Sequence, residues 1–241
     1  MSRVAIIDII EGKQGIVPTL VRALFYVFSL GFRAVRKVSS WSLDVGMIKR
    51  GAVEIPVISI GNIVAGGTGK TPLIEFLGKE IESVSVVSRG YRSKHEKGNA
   101  KVDPKGSATE FGDEPLMLAQ KFPVYIGKNR FFSAKRAEKE GAKAILLDDG
   151  MQQTYLQADL QIGVVRGSDP FGRGHFLPRG YLRDAPDKLA KLDLVVINGD
   201  TDLPAIRKYT QAPLVTVKPQ PVGVFNNAGE TDLVEGEREG F

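Results

Sequence analysis

The sequence contains no cysteine in its 241 residues. This absence excludes disulfide bonds, thiolate metal sites and thiol catalysis, and it fits a reducing compartment. Histidine is also scarce, since only His95 and His175 are present, and neither has the spacing of a metal ligand. We expect both to lie in loops. The chain is nevertheless long enough to bury a sizeable core without covalent cross-links.

The chain also lacks the dense basic stripe or aromatic stacking motif that nucleic-acid-binding proteins carry. Lysine and arginine outnumber aspartate and glutamate by 33 to 28, which gives a net charge of +5 and a pI near 9.3. A modest, dispersed positive excess favours an anionic partner such as a phosphate group or a lipid surface. We predict no nucleic-acid partner, and the sequence indicates no particular oligomeric state.

The sequence also lacks a long uncharged apolar run. In residues 15–38 the uncharged stretch between Arg22 and Arg33 has ten residues, whereas a spanning helix needs about 20. No small-residue cleavage site follows it. On a helical wheel the polar residues of this segment fall within roughly 100°, opposite the apolar ones. The polar arc contains Thr19, Arg22, Ser29, Arg33, Arg36 and Lys37, and the apolar side contains Leu20, Leu24, Val27, Phe28 and Val35.

This pattern predicts an amphipathic helix that lies in a membrane interface, with its basic side toward anionic headgroups. The alternative is a helix that covers the core of its own domain. We assign residues 1–54 to this membrane-associated N-terminal segment.

From residue 55 onward, short apolar runs alternate with segments of helical periodicity. Seven runs are predicted strands: IPVISI, SVSVVS, FPVYIG, KAILLD, LQIGVV, DLVVIN and PLVTV. Their continuous apolar character suits strands buried on both faces of a mainly parallel sheet. The predicted fold is therefore α/β, doubly wound, with a nucleotide-binding core in residues 55–150 and a further α/β part in residues 151–241. The last twenty residues lose this rhythm, so we expect the last part to be incomplete.

One glycine-rich stretch follows the first predicted strand, with the sequence GNIVAGGTGKTPL. Backbone N–H groups of such a loop converge on an anion at the N-terminus of the following helix. The pattern predicts a phosphate loop in which Lys70 reaches the β- and γ-phosphates and Thr71 ligates Mg²⁺. The standard spacing has a further glycine where this chain has Val64, so the loop is a variant. A plain glycine-rich turn is the alternative.

Two acidic clusters complement this loop. Asp148 and Asp149 end the run KAILLDDG, at the strand end where open α/β sheets bind ligands. They are candidate Mg²⁺ ligands, although Asp-Gly is also a common turn pair. Asp113 and Glu114 precede Pro115, where they suit either a helix cap or, for an acid near the γ-phosphate, acceptance of a hydroxyl proton.

Basic residues form three further groups after strands or in loops. The residues concerned are Arg89, Tyr91 and Arg92 in SRGYR, Arg130 in GKNR, and Arg179 and Arg183 in LPRGYLRD. Arginines in these positions can neutralise phosphate groups of a nucleotide or an acidic substrate. Solvated surface arginines are the alternative for each group.

The ordered set of motifs resembles the tetraacyldisaccharide 4'-kinase family, the lipid A kinases of Gram-negative bacteria. The motifs, spread over about residues 16–218, are GNIVAGGTGKTP, VVSRGYR, GDEPLML, PVYIGKNR, ILLDDGMQ, LPRGYLRD and LDLVVIN. The resemblance implies a P-loop NTPase-like fold and an enzyme on the cytoplasmic face of the bacterial inner membrane. It also implies transfer of the γ-phosphate of ATP, with Mg²⁺, to the 4'-hydroxyl of an acylated glucosamine disaccharide 1-phosphate.

The family's functional residues fall on particular positions of this chain. The resemblance implies Asp113 as catalytic base, with Lys70 and Arg183 as further catalytic residues. It implies Thr71, Glu114, Asp148 and Asp149 as magnesium ligands. The implied nucleotide-binding residues are Gly66, Gly67, Thr68, Gly69, Lys70, Thr71, Arg89, Tyr91 and Arg130.

The chain departs from the family pattern in three places. Gln153 stands where the family has a histidine in DDGFQH, and Asp184 replaces the glutamate of the LRE motif. The family's C-terminal region, with a histidine that pairs with the base, is absent from this sequence. If the base requires that histidine, ATP binding would remain while the rate falls by a factor of roughly 10² to 10⁴.

Two rival functions remain at this stage. One is a membrane-associated P-loop nucleotide-binding protein without lipid kinase activity. The other is a dimeric, partner-regulated P-loop NTPase, although such loops typically carry a lysine where this chain has Ala65. ATP turnover tied to a lipid acceptor separates the kinase from both.

Overall fold

The computed structural model describes residues 3–12 and 14–218, and it contains an eight-stranded, mainly parallel sheet. The order across the sheet is β3-β4-β2-β5-β1-β6-β7-β8, and only β3 runs antiparallel to its neighbour. The strands are β1 (Val57–Gly61), β2 (Val84–Ser88), β3 (Ala100–Lys101), β4 (Val124–Ile126), β5 (Ala144–Asp148), β6 (Leu160–Arg166), β7 (Leu194–Asn198) and β8 (Leu214–Val217).

Seven α-helices are described, and two of them precede the sheet. They are α1 (Arg3–Ile10), α2 (Ile16–Asp44), α3 (Lys70–Glu80), α4 (Ala108–Phe111), α5 (Asp113–Ala119), α6 (Arg130–Lys139) and α7 (Leu203–Arg207). Three short 3₁₀ helices cover Gly150–Gln152, Gly172–Gly174 and Pro186–Lys191. The α/β class and the mainly parallel sheet are as predicted.

All seven predicted strands are confirmed, whereas the eighth strand, β3, was missed. This strand has two residues, in a polar segment without an apolar run, and pairs antiparallel with Tyr125 and Ile126 at the sheet edge. Sequence periodicity cannot reveal so short a strand. The division of the chain at residues 54 and 150 stays a prediction, and residues 219–241 of its last part lie outside the described residues.

Helices cover both faces of the sheet because successive strand residues point to opposite sides. On one face, Leu146 of β5 packs in a cluster with Ile74 of α3 and Leu118 of α5. On the other face, its neighbours Ile145 and Leu147 pack with α6. The same face continues beneath β6 and β7, where the 186–191 helix and α7 pack. Burial on both faces explains why the strands read as continuous apolar runs.

Helix α2 lies against the domain along one side over more than three turns. Tyr26 contacts His175, Phe32 packs toward Phe176 at 6.3 Å between ring centroids, and Arg36 pairs with Asp184. The opposite side exposes apolar side chains, which include Leu20, Leu24, Val27, Phe28, Val35 and Val38. The expectation that the basic side faces lipid headgroups is therefore wrong for Arg36, because a buried carboxylate of the domain binds it.

In the part of the chain that the structure describes, Ile16–Leu43 is the one helix long and apolar enough to cross a membrane by length and composition. The same criteria are met by signal sequences and by core helices of soluble proteins, although little of this helix is buried. The contacts of Tyr26, Phe32 and Arg36 bind one side of it to the domain. They leave the opposite, apolar side of the helix exposed.

Candidate functional site at the carboxyl end of the sheet

The predicted phosphate loop connects β1 to α3 at the carboxyl end of the central strand. Gly66 has φ +110° and Gly69, directly before the helix, has φ +94°, values that disfavour residues with a side chain. Gly69 is also crowded, because a Cβ atom there would lie 2.5 Å from Nδ2 of Asn198. Lys70 is the first residue of α3, so the loop presents the positive end of that helix.

Three polar contacts, of which the first is fully buried, hold the loop in shape. Asn62 follows β1 and donates from Nδ2 to the hydroxyl of Thr68 at 3.0 Å. Asn198, at the end of β7, donates to the carbonyl of Thr68 at 3.1 Å. Arg166, at the end of β6, donates to the carbonyl of Gly67. Strands β1, β6 and β7 therefore each contribute one brace to the loop.

The two adjacent acids at the end of β5 differ in their surroundings. Asp148 is 5% exposed and accepts a hydrogen bond from Ser88 at 2.9 Å. Asp149 has φ +51° and turns toward two cations. Arg183 binds both oxygens of Asp149, at 2.7 and 2.9 Å, and Nζ of Lys70 lies 3.6 Å from Oδ1.

These surroundings move the two pKa values in opposite directions. Burial and the neighbouring charge of Asp149 raise the pKa of Asp148 to about 6, against the opposing hydrogen bond from Ser88. Burial also acts to raise the pKa of Asp149, but the hydrogen bond and charge of Arg183, with the charge of Lys70, hold it below its usual value. The carboxylate of Asp149 is thus paired with cations. The negative charge of Asp148 is unfavourable in its buried position, and a bound cation would stabilise it.

Asp113 and Glu114 occupy the first turn of α5. The helix begins at Asp113, two residues before Pro115. The acids suit this end of the helix, where the backbone N–H groups carry partial positive charge. Glu114 is close enough for its charge to contribute to the raised pKa of Asp148. Neither acid caps the helix, because Gly112 is the N-cap residue and no side chain makes a capping hydrogen bond.

A cavity of about 700 Å³ brings most of the predicted residues together. Its walls include the phosphate loop, the start of α5 and the ends of β2 and β5. The predicted residues that line it are Gly66, Gly67, Lys70, Arg89, Tyr91, Asp113, Glu114, Asp148, Asp149 and Arg183. Thr68, Gly69, Thr71 and Arg130 do not line it. The volume suits a nucleotide phosphate chain and part of an acceptor.

The predicted basic residues have different environments. Arg89 forms an ion pair with Glu96 at 2.6 Å, and the exposed ring of Tyr91 lies between the guanidinium groups of Arg89 and Arg92. Arg130 is 7% exposed, and its Nε has no hydrogen-bond partner. Burial and the charge of Arg89 lower the pKa of Arg130. An incompletely bonded buried guanidinium is a candidate for holding an anion.

Sequence reasoning missed the residues that position the predicted ones. Asn62 accepts a hydrogen bond from Arg183 and, through its carbonyl, one from Gln152. Ser88 binds Asp148, and Asn198 braces the loop. A signal was present for all three, because each is a polar residue at or just after the carboxyl end of a buried strand.

Gln153, the residue in place of the family's histidine, makes local contacts only. It is buried, and its Oε1 accepts from the backbone N–H groups of Tyr155 and Leu156, each at 2.8 Å. Its Nε2 donates to the carbonyl of Leu156 at 2.6 Å. The side chain therefore stabilises the turn at 153–156 and does not line the cavity.

The oxygen donors around the cavity fit a magnesium ion on a phosphate chain. Glu114, Asp148 and Asp149 supply carboxylates, the oxygen ligands that Mg²⁺ prefers. Among the described residues no group of three or more acidic, histidine or cysteine side chains forms a complete metal cage. A Mg²⁺ ion at this place would therefore need water and substrate phosphates as further ligands.

The variant phosphate loop, the acids at the neighbouring strand end and the parallel sheet together define a P-loop nucleotide-binding protein. The family model described as tetraacyldisaccharide-1-P 4'-kinase matches residues 21–238. The chain belongs to the tetraacyldisaccharide 4'-kinase family.

Curated relatives carry the name tetraacyldisaccharide 4'-kinase. The protein from Chlamydia trachomatis is 46% identical over 157 residues, covering 61% of this chain and 42% of the relative. The Chlamydia pneumoniae protein is 42% identical over 76% of this chain and 53% of its own length. The protein from Hyphomonas neptunium is 38% identical, with coverages of 74% and 58%. The chain spans about half the length of these relatives.

A solved structure supports the fold independently. The "apo" form of LpxK from Aquifex aeolicus, solved in complex with ATP, matches with a TM-score of 0.71 and 28% identity. The match covers 81% of this chain and 64% of that one.

Proposed function

We propose that the protein transfers the γ-phosphate of ATP to the 4'-hydroxyl of a tetraacylated glucosamine disaccharide 1-phosphate. The observation that carries this proposal is the single cavity in which the phosphate loop, two acidic pairs and Arg183 meet. Family membership supports the reaction, and the solved relative with ATP supports the phosphate donor.

Catalysis would depend on positioning and charge neutralisation, since phosphoryl transfer requires little covalent chemistry from the protein. Lys70 and the loop N–H groups would hold the phosphate chain. Asp113 would accept the proton of the 4'-hydroxyl as its oxygen bonds to the γ-phosphorus and ADP leaves. Arg183 now pairs with Asp149, and it lines the cavity from which it can reach the transferred group.

Glu114, Asp148, Asp149 and Thr71 are the residues that would hold Mg²⁺. The ion would neutralise charge on the β- and γ-phosphates. Lys70 and Asp149 would separate as the phosphates enter, because their 3.6 Å contact occupies the loop lysine. Arg89, Tyr91 and Arg130 would contribute further contacts to the nucleotide or to the acceptor.

The protein would work at the cytoplasmic face of the bacterial inner membrane. Its acylated acceptor resides in a bilayer, and α2 exposes a continuous apolar side that suits insertion into the membrane interface. The phosphate loop would then act on a headgroup that the membrane presents to it.

The test is transfer of ³²P from γ-labelled ATP to tetraacyldisaccharide 1-phosphate in detergent micelles. Asp113→Ala is expected to lower the rate by roughly 10² to 10⁴, and Lys70→Ala is expected to weaken ATP binding as well. The exposed residues Glu80 and Lys79 on α3 give matched alanine controls. ATP binding that depends on Lys70, without any labelled lipid, would refute the kinase and favour a nucleotide-binding protein.

A further inference from the structure

A second cavity, of about 380 Å³, lies between α2 and the 3₁₀ helix Pro186–Lys191. We name it the basic cleft. One wall is formed by Arg33, Lys37 and Trp41 of α2, and the other by Lys188 and Lys191. It shares no lining residue with the cavity at the phosphate loop.

The charge of the basic cleft is strongly positive. Arg36 and Asp184 also line it, but they bind each other through three hydrogen bonds, at 2.7, 3.0 and 3.1 Å. Four further basic side chains and one further carboxylate, that of Asp187, also line the cleft, and Lys188 donates to the hydroxyl of Ser40. Such a concentration of guanidinium and ammonium donors in a concave site favours a phosphate group.

The position of the cleft on α2 indicates where that phosphate comes from. Arg33, Lys37 and Trp41 are spaced four residues apart, so they form one row along the helix. The row lies between the side that contacts the domain and the side that exposes Val27, Val35 and Val38. When the apolar side enters a bilayer, the row lies at the depth of the headgroups. Trp41 is 58% exposed there, and tryptophan prefers this interfacial depth.

We propose that the basic cleft is a binding site for the phosphate group of an anionic bilayer lipid. The inference rests on the proposed membrane location but not on the kinase reaction. A diffuse basic surface would respond only to membrane charge, whereas a cleft with walls from two separate elements holds one headgroup between them. The bound headgroup also fixes the rotation of α2 relative to the membrane.

The experiment measures sedimentation of the 241-residue chain with vesicles that contain no disaccharide lipid. Vesicles of phosphatidylcholine alone are compared with vesicles that also contain phosphatidylglycerol. The variant Arg33→Gln/Lys37→Gln removes two cleft charges, and Lys191→Gln removes one from the opposite wall. We expect the affinity for the anionic vesicles to fall about fivefold for each charge removed. Affinity for phosphatidylcholine vesicles should change much less.

The control variant Lys79→Gln/Lys139→Gln removes two exposed charges from α3 and α6, outside the cleft. An equal loss of affinity in this control would overturn the proposal, because net charge alone would then explain it. The swap Arg33→Lys/Lys37→Arg, which preserves charge, should retain binding and so excludes a folding defect. If vesicle binding by the cleft variant equals that of the control while its KM for the lipid acceptor in neutral micelles rises, the cleft holds the substrate's own phosphate and the bilayer assignment is wrong.

Discussion

Asp148 and Asp149 are neighbours in sequence, yet the fold gives their carboxyl groups opposite environments. The first points into the sheet edge beside Ser88, and the second turns outward to Arg183 and Lys70 because its backbone adopts φ +51°. One carboxyl group therefore resists ionisation while the other favours it. This difference has a measurable consequence for the pH dependence of stability.

We predict that Asp148→Asn stabilises the protein above pH 6. The pKa of Asp148 rises from 3.8 to about 6 on folding, so the folded state keeps the proton that the unfolded state loses. Stability is therefore lost as pH rises from about 4 to 6, by at most ~3 kcal/mol, and asparagine avoids this loss while still accepting from Ser88. Urea unfolding without nucleotide or Mg²⁺, at pH 4 and pH 7.5, measures the difference.

Asp149→Asn supplies the control with the opposite sign. Its pKa is lowered on folding, so its carboxylate stabilises the protein above the unfolded-state pKa of about 3.8, and that contribution disappears as pH falls through the folded-state value. The variant should be less stable than the parent at pH 7.5, and the two should converge in acid. Equal pH profiles for both asparagine variants would contradict the assigned environments.

Replacement of Gln153 tests whether this glutamine, which stands where the family has a histidine, stabilises the fold. Gln153→Ala removes three hydrogen bonds in a buried turn, so we expect a loss of about 2–3 kcal/mol at roughly 1 kcal/mol per bond. Gln153→His should lie between the two, because one ring nitrogen cannot accept from both Tyr155 and Leu156. Urea unfolding measures both losses, and a histidine variant more stable than the parent would refute this role.

At the scale of elements, the strands were predictable, whereas the pairings between polar residues of separate segments were not. The central strands β1, β2, β4 and β5 are buried on both faces, so their apolar runs are visible without any knowledge of neighbours, and the more exposed β8 at the sheet edge still has an apolar run. The phosphate loop and the acids after β5 were predictable because their spacing is local. The contacts of Asn62, Gln152 and Asp184 connect separate segments, and no local pattern encodes such pairings. The predicted environment of Arg36 on α2 was wrong for the same reason, because its partner Asp184 lies 148 residues later in the chain.

The Arg36–Asp184 pair is predicted to connect α2 to the catalytic cavity. Asp184 is 2% exposed, and Gln152 donates to it at 2.8 Å as well as to the carbonyl of Asn62. Arg36→Gln would leave a buried carboxylate without its cation, at a cost of about 2–3 kcal/mol. This is less than for a fully buried pair because Arg36 is about a quarter exposed.

A double-mutant cycle with Arg36→Gln and Asp184→Asn, followed by urea unfolding, measures the coupling. We expect a coupling free energy above about 1 kcal/mol. The exposed pair Lys143–Glu82 provides the comparison, and its cycle should show no measurable coupling. Additive effects of the two substitutions at Arg36 and Asp184 would mean that the helix is held by its apolar contacts instead.

At the scale of the whole molecule, two surfaces differ in chemical character. The carboxyl edge of the sheet gathers side chains for phosphate chemistry, and α2 presents apolar side chains away from the domain. The proposed lipid kinase reaction would need this combination, because a water-soluble nucleotide and a bilayer-bound acceptor would have to reach one cavity. Arg36 of α2 binds Asp184, which directly follows the cavity residue Arg183 in the chain, so the ion pair links the helix to the part of the domain that forms the cavity.

The apolar side of α2 offers a direct test of this arrangement. Leu24, Val27 and Val35 are 54–68% exposed, so replacing all three by glutamine should leave the free energy of unfolding within about 0.5 kcal/mol of the parent. The same variant should lose vesicle binding by more than roughly 100-fold, since each side chain loses about 1–2 kcal/mol of transfer free energy. Phe32→Gln is the matched control on the opposite side, where packing against Phe176 predicts a stability loss of about 1–3 kcal/mol. If the triple variant unfolds as easily as Phe32→Gln, the exposed side of α2 is buried against protein in solution, and the membrane orientation derived from it is wrong.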